Sequence, residues 1–490
     1  MIEKNDVKRD KGGNTGGRTS NNVTKGRFET LLKTGSNPRN AILTKDVKKA
    51  NGKSKNGKDL DVTLQCAILS RTAIQQELPS ETLIYKDLLD ELDLDCEKIV
   101  EGDKSAIEKA KLWTYDTDSI EELLFSADNR CRAIEQLFGF NKKIVTPNEL
   151  QYPLAYGAVV YKNLIQVLFM LSAFYRPHNE YCVAVSGSAN KIFKFFMAQL
   201  GKCFSNIHVM NRPSISWGSF EIINSTWACA ELLSRSRTKW MYYQQLAGVD
   251  VPLKTNLEMV EILKKWNNTV NSEFATFQPE RLGEKQIQNS PLPLFKSSLS
   301  AAVPRNAIDK LVETNKGWEL LHFLNGTDIP DEAFWTTLTG SVKDFSVPGG
   351  TNAEEWMKFR DSYEETNSND VERYRSTRKS AATMNYYLAR HQVWYDDCGG
   401  KISSGSCVYG VYDIVNVLKQ PHLIAHKMYL DFEPAAFFCV LKTPTFHTSS
   451  IACFLLTTSS SKRNVWSYIR RRIHSKDNNS FARTSCYLSS

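Results

Sequence analysis

None of the 11 cysteines in this 490-residue chain forms a Cys-x-x-Cys pair, which removes the usual spacing of a zinc site or a thioredoxin-like dithiol. The apolar run Leu164–Phe174 stops well short of the roughly 20 residues that span a bilayer, so it is expected as a buried core helix. The N-terminus lacks the charged start followed by an apolar stretch that marks a secretory signal. Ser186-Gly-Ser-Ala189 follows an apolar strand and precedes a helix, but it lacks the glycine spacing of a phosphate loop or dinucleotide fingerprint. No internal repeat stands out. Positive charge is also missing from most of the chain. Of the net +8, residues 1–60 hold 15 Lys+Arg against 6 Asp+Glu, or +9, which leaves 47 against 48 for residues 61–490. A basic face is the footprint that nucleic-acid binding requires, so no nucleic-acid partner is expected for the folded part.

What is present supports a sizeable core, with 41% hydrophobic and 11% aromatic residues. Residues 1–60, with Lys11-Gly-Gly-Asn-Thr-Gly-Gly-Arg18, are too polar and Gly-rich to bury anything and are expected as a disordered basic tail. Residues 61–145 read as a helical N-terminal or stem region, with Glu81–Leu92 as an example. Beyond Pro147, apolar strand-like runs at Tyr152–Tyr161, Tyr181–Val185, Ile207–Val209 and Trp240–Tyr243 alternate with helical patterns at 164–174, 190–200 and 219–234. Buried strands alternating with helices predict an α/β fold with a mostly parallel central sheet and helices on both faces. Ligands of such sheets bind beyond the strand C-terminal ends. A helix at 256–266, a strand at 297–303, a polar, loop-rich 340–380, a strand-like 386–395 and a helix at 411–419 are expected next, and the domain runs over 146–440. Residues 441–490 remain an unassigned C-terminal extension.

Within Gly326–Trp335, Pro330 suits the first turn of a helix, and Asp331 and Glu332 then fall at its positive end. Phe334, Trp335 and Leu338 supply the apolar positions that seat it. A carboxylate on a rigid element at the edge of a cleft is a candidate general base. The cysteines are either buried free thiols or disulfides closing long loops, and the second choice implies an oxidising compartment.

Several short stretches, in this order, resemble the core-2/I-branching β-1,6-N-acetylglucosaminyltransferase family, glycosyltransferase family 14, which includes the peptide O-xylosyltransferases. They are Tyr152-Pro-Leu-Ala-Tyr156, Ala173-Phe-Tyr-Arg-Pro177 with Tyr181-Cys182, Lys202-Cys-Phe-Ser-Asn206, Ser216-Trp-Gly218, Leu246-Ala-Gly-Val-Asp-Val-Pro-Leu-Lys-Thr-Asn256, Pro330-Asp-Glu-Ala-Phe-Trp335, Cys407-Val-Tyr-Gly410 and His422-Leu-Ile-Ala-His-Lys427. The likeness extends over about residues 90–440. It implies a GT-A-type nucleotide-sugar fold, a UDP-GlcNAc donor, a glycan or glycoprotein acceptor, inversion at the anomeric carbon and no metal cofactor. Asp-x-Asp triplets occur only at 59–61, 93–95 and 116–118, ahead of the first sheet strand, where none is expected to hold a cation against a diphosphate.

The resemblance makes Glu332 the catalytic base and Lys427 a cation for the leaving UDP. It puts Trp217 near the uridine and Glu273, Arg281 and Trp394 at the acceptor sugar. It pairs Cys96 with Cys439, Cys131 with Cys203, Cys182 with Cys229 and Cys398 with Cys407, leaving Cys66, Cys453 and Cys486 outside the matched sequence. The departures from the family lie on the donor side. Ser186 stands where the family has a nucleoside-contacting Asp, and Ser404 where active enzymes have a diphosphate-binding Arg. Lys401 is near enough to substitute, and Lys296-Ser-Ser298 replaces a glycine-containing turn. Family members are Golgi type II membrane proteins, so a Golgi location is implied, although no anchor is visible here. Sequons at Asn22, Asn224, Asn267, Asn325 and Asn478 fit a lumenal protein. Two rival readings are a xylosyltransferase acting on a proteoglycan serine and a degenerate, non-catalytic glycan-binding homologue.

Overall fold

The sheet is built on β1 (Leu154–Val160), which is buried along its whole length and paired on both edges. With β2 (Glu180–Val185), β3 (Ile207–Asn211), β4 (Tyr242–Ala247) and β5 (Ala302–Pro304), it forms a five-stranded sheet in the order β3-β2-β1-β4-β5. The first four strands are parallel, and β5 runs antiparallel to β4. The structure is a computed structural model, and it describes residues 85–143, 145–366, 386–394 and 397–443. The basic tail, residues 61–84, the stretch 367–385, the C-terminal extension beyond 443, Asn22, Asn478, Cys66, Cys453 and Cys486 all lie outside the described residues.

The period-two alternation of strand side chains sorts the core into two layers. Tyr156, Ala158 and Val160 of β1 and Tyr181, Val183 and Val185 of β2 join one cluster with α1 (Leu164–Phe174) and α2 (Lys191–Cys203). Ala155, Val159, Cys182 and Ala184 point the other way, into a cluster with α3 (Phe220–Ser234). Helices thus cover both faces, as expected for this α/β class. Ten of the eleven residues of α1 are buried, which explains its continuous apolar sequence without any need for a membrane. After β3 the chain crosses back through α3 to β4 on the far side of β1. The strand order therefore reverses between β1 and β4, the place where sheets of this kind bind ligands.

Four disulfides hold the layers, and all four match the pairing that the resemblance implies. Cys96–Cys439 ties the helix Cys96–Glu101 to Pro434–Lys442 across 343 residues of sequence. Cys131–Cys203 joins the helix Arg130–Leu137 to the end of α2, and Cys182–Cys229 pins β2 to α3. Cys398–Cys407 closes a short loop whose arms, Lys401–Ser403 and Ser406–Val408, pair antiparallel.

Four expectations need correction. Residues 85–92 form a turn instead of a helix: the Asp87 carboxylate accepts the Leu89 N–H at 2.9 Å, and the Leu88 N–H goes to the Leu137 carbonyl at 2.9 Å. Such a local side-chain bond competes with the helical ladder. The region read as loop-rich contains the helix Ala353–Thr366, where Trp356 and Met357 pack against Phe274 and Phe295. Residues 386–394 form only single-residue bridges, at His391 and Trp394, because the Asn271 Oδ1 accepts both the Leu388 and Ala389 N–H groups at 2.9 Å. The strand expected at 297–303 is shorter and shifted, since pairing to β4 starts only at Ala302 and ends at Pro304, while a separate short strand, Phe295–Lys296, pairs with Ala275–Thr276.

Both sulfurs of Cys182–Cys229 are fully buried and close a 47-residue separation, so replacing both residues by alanine should destabilise the fold by about 4 kcal/mol on the loop-entropy model. Chemical denaturation of the double variant against the parent measures this, and an unchanged midpoint contradicts it.

Candidate functional site

Glu332 sits on the single 3-10 turn Pro330–Ala333, preceded by Ile329 at a left-handed φ of 47° and followed by the helix Trp335–Gly340. Proline at the first position fits the turn, as the sequence indicates. What seats it is aromatic packing. Phe334 and Trp335 are wholly buried against Trp227 of α3, and the Trp335 indole N–H donates to the Leu299 carbonyl at 2.9 Å. The Glu332 carbonyl accepts the Ser297 N–H at 2.7 Å, so Glu332 is also fixed to the chain leading into β5.

The side chain of Glu332 is 13% exposed, and its Oε2 accepts from Arg281 Nη1 at 2.8 Å, with Lys296 Nζ at 3.7 Å. Arg281 comes from the turn Pro279–Leu282, whose Arg281 carbonyl takes the Asp328 N–H at 2.8 Å. Lys285 then donates to the carbonyls of Phe323 and Asn325. Glu273 reaches the same neighbourhood through its backbone, because Thr336 Oγ1 donates to its carbonyl at 2.6 Å. Gly218, beside the half-buried Trp217, lies so close to this loop that an added Cβ would stand 3.5 Å from Ile329 Cγ1. The structure therefore gathers Glu332, Arg281, Glu273 and the Trp217 segment.

A second cluster holds the lysines. Lys427 is 1% exposed, its Nζ donates to the Ser403 carbonyl at 2.9 Å, and it lies 5.4 Å from the centre of the Tyr429 ring. Lys401 is exposed and stands over Phe432 at 4.5 Å and Tyr429 at 5.6 Å. Ser404, at φ 47°, forms the tip of the disulfide-closed hairpin with Gly405. Trp394 is 44% exposed and bridges Ser406, so its backbone belongs to this hairpin. Ser186 is fully buried at the end of β2, and its Oγ accepts the N–H groups of Ile215 at 2.9 Å and Ser188 at 3.2 Å. Its hydroxyl is thus engaged in holding the loop after β3.

Several residues were not singled out by the sequence reading. Asp250, just beyond β4, has one oxygen on the Ala247 N–H at 2.7 Å and the other 2.6 Å from His426 Nδ1, with both side chains fully buried. Burial pushes the Asp250 carboxyl up and the His426 imidazole well down, the directions of a neutral hydrogen-bonded pair. Arg390, 2% exposed, donates from Nη2 to Gln392, while its Nε and Nη1 have no partner among the described residues. Asp250 and His426 lie inside motifs that carried the resemblance, whereas nothing in the sequence pointed to Arg390. Asp331, which the sequence places only as a first-turn acid, is 2% exposed, its Oδ1 has no hydrogen-bond partner among the described residues, and burial, followed by the neighbouring Glu332 charge, pushes its carboxyl up to about 7.

Among the described residues the candidate metal-ligand group is Cys398, Cys407 and Asp413, but its two sulfurs are joined in a disulfide and offer no thiolate. The two described Asp-x-Asp triplets serve helix starts. Asp95 caps Cys96–Glu101 and Asp116 caps Thr117–Ser126. Asp118 instead lines a pocket with Glu121, Lys162, Asn163, Asn190 and Asp431, close to the ends of β1 and β2.

The Asp331 environment fixes a pH dependence. A carboxyl whose folded value lies above its unfolded one is most stabilising when protonated. Its contribution is therefore present below about pH 4 and lost as pH rises through about 7. Asp331→Asn removes that loss, so its melting temperature relative to the parent should rise between pH 4 and 8. A difference that is flat or falls with pH would count against this environment.

A family model described as "Core-2/I-Branching enzyme" matches residues 154–386. Among curated proteins, a human β-1,3-galactosyl-O-glycosyl-glycoprotein β-1,6-N-acetylglucosaminyltransferase is 25% identical over 373 residues, 71% of this chain and 84% of its own. A mouse protein of the same name, numbered 3, is 24% identical over 408 residues, 75% of this chain and 87% of its own. Among solved structures, mouse xyloside xylosyltransferase 1 covers 39% of this chain and 81% of its own at a TM-score of 0.21 and 12% identity, a likeness too slight to bear on the fold. The matched segment and these relatives agree, and from residue 154 to 386 the chain is similar to the core-2/I-branching enzymes.

Proposed function

We propose that this protein is an inverting, metal-independent glycosyltransferase that moves GlcNAc from UDP-GlcNAc to the C6 hydroxyl of a GalNAc or Gal acceptor. The observation that carries this reading is the Glu332 carboxylate, held through Oε2 by Arg281 on a turn that aromatic packing makes rigid. Oε1 is then the oxygen that takes the acceptor proton. A sugar hydroxyl is too weakly acidic to ionise beforehand, so proton transfer to Glu332 accompanies formation of the bond between the acceptor oxygen and the donor anomeric carbon. The bond from that carbon to the diphosphate breaks on the opposite face, which inverts the configuration. Negative charge developing on UDP is taken up by Lys427, with Lys401 beside it, instead of by a divalent ion. Glu273, Arg281 and Trp394 bind acceptor sugar, and Trp217 lies near the uridine. The four disulfides fit an oxidising compartment, and the Golgi lumen is the proposed location.

A second reading, a glycan-binding protein with a degenerate donor site, is favoured by the engaged Ser186 hydroxyl and by serine at 404. Calorimetry with millimolar UDP separates the two readings: heat of binding supports the transferase, and its absence with glycan binding retained supports the second. In the transferase, Glu332→Gln should lower turnover by on the order of 100- to 10,000-fold while UDP still binds. Product formation by the parent should be unaffected by EDTA, and UDP-GlcNAc should be used in preference to UDP-xylose. Transfer that survives Glu332→Gln, or that stops with chelator, removes the mechanism.

A further inference from the structure

Three Asn-x-Ser/Thr triplets fall within the described residues, and as sequence they are equivalent: Asn224-Ser-Thr226, Asn267-Asn-Thr269 and Asn325-Gly-Thr327. The fold makes them unequal. Asn224 is inside α3, partly buried, and its amide nitrogen donates to both Glu221 oxygens at 3.0 and 3.1 Å. Ser225 and Thr226 behind it are fully buried, with Thr226 Oγ1 donating to the Ile222 carbonyl at 2.9 Å. A glycan on Asn224 would have to displace Glu221 and stand against a helix that the core covers.

The other two asparagines sit at helix ends. Asn267 is exposed and closes the helix Asn256–Trp266 at a left-handed φ of 49°, and Asn268 follows at 59°. Asn325 is exposed and caps the helix Lys316–Leu324 in an extended conformation, followed by an exposed Gly326 at φ 87°. Thr327 is engaged much as Thr226 is, its buried Oγ1 donating to the Leu324 carbonyl at 2.8 Å, so what separates the triplets is the asparagine itself: at 267 and 325 it is exposed, and a large hydrophilic group on its amide can stay in water.

We propose that Asn267 and Asn325 carry N-linked oligosaccharides and that Asn224 stays bare. The donor is an oligosaccharide on a lipid diphosphate. The amide nitrogen bonds to its anomeric carbon, the carbon–oxygen bond to the diphosphate breaks, and the amide proton passes to a base of the transferring enzyme. This assignment rests on the lumenal part of the proposed function, since the same compartment oxidises the cysteines, but it does not depend on the role of Glu332.

The full chain, directed into the secretory pathway of a eukaryotic cell by an added cleavable signal, is purified and split in two. One portion is treated with peptide N-glycosidase in isotopic water, which converts each occupied asparagine to labelled aspartate, and is read by peptide mass spectrometry. The other portion is mapped for disulfides. Labelled Asn267 and Asn325 with unlabelled Asn224 is the expected result. Label at Asn224, or its absence at Asn267 or at Asn325, overturns the assignment. Disulfide mapping tells the two failures apart: oxidised pairs with bare asparagines sink the glycan assignment alone, whereas reduced cysteines sink the lumenal reading with it.

Discussion

The candidate site depends on how one buried carboxylate, Asp250, anchors a distant stretch of chain to the end of β4. It binds the Ala247 N–H on the strand side and His426 on the other, 176 residues away in sequence. The Met428 N–H donates to the Val249 carbonyl at 3.1 Å, and residues 424–425 pair with 251–252, so Lys427 is fixed from both sides. Losing the carboxylate would leave a buried imidazole and a buried N–H without partners, a cost of about 1–3 kcal/mol for each group. The lysine can therefore be nearly inaccessible and still hold a defined position.

The path from this anchor to Glu332 runs through the segment between Phe295 and β5. Ser297 binds the Glu332 carbonyl, Ser300 Oγ donates to the Gln245 carbonyl of β4 at 2.9 Å, and Tyr387 donates to the Ser300 carbonyl. The segment thus touches Glu332, the central sheet and the chain that leads to Arg390 and His391. Ser297 and Ser300 make this bridge, in and just after the Lys296-Ser-Ser298 stretch that departs from the family's glycine-containing turn.

Much of the scaffold was legible in the sequence because its signals are local. β1, β2, α1, α3 and the helix Asn256–Trp266 are recognisable from runs of apolar residues; the structure adds a Thr255–Glu258 capping box whose two reciprocal bonds are both made. The elements that were misread owe their shape to distant partners. Residues 388–389 follow the amide of Asn271, and residues 85–92 follow Asp87 and the end of the helix Arg130–Leu137. In the site, Glu332, Arg281 and Lys427 could be named from motifs, and the Glu332–Arg281 pair links residues 51 apart. Arg390, Asp250 and the burial of Asp331 were not visible, because isolated charged residues look alike in sequence until the fold desolvates them.

The turn that carries Arg281 is stitched to the Glu332 loop at three points, through Asp328, Lys285 and the ion pair itself. The two therefore move as one mechanical unit. Under the proposed function, selectivity for the incoming sugar and the placement of the proton acceptor are not separate modules. A lineage that reshaped residues 279–285 would shift the Glu332 carboxylate as well, so change in this turn has to be matched by adjustment around position 332.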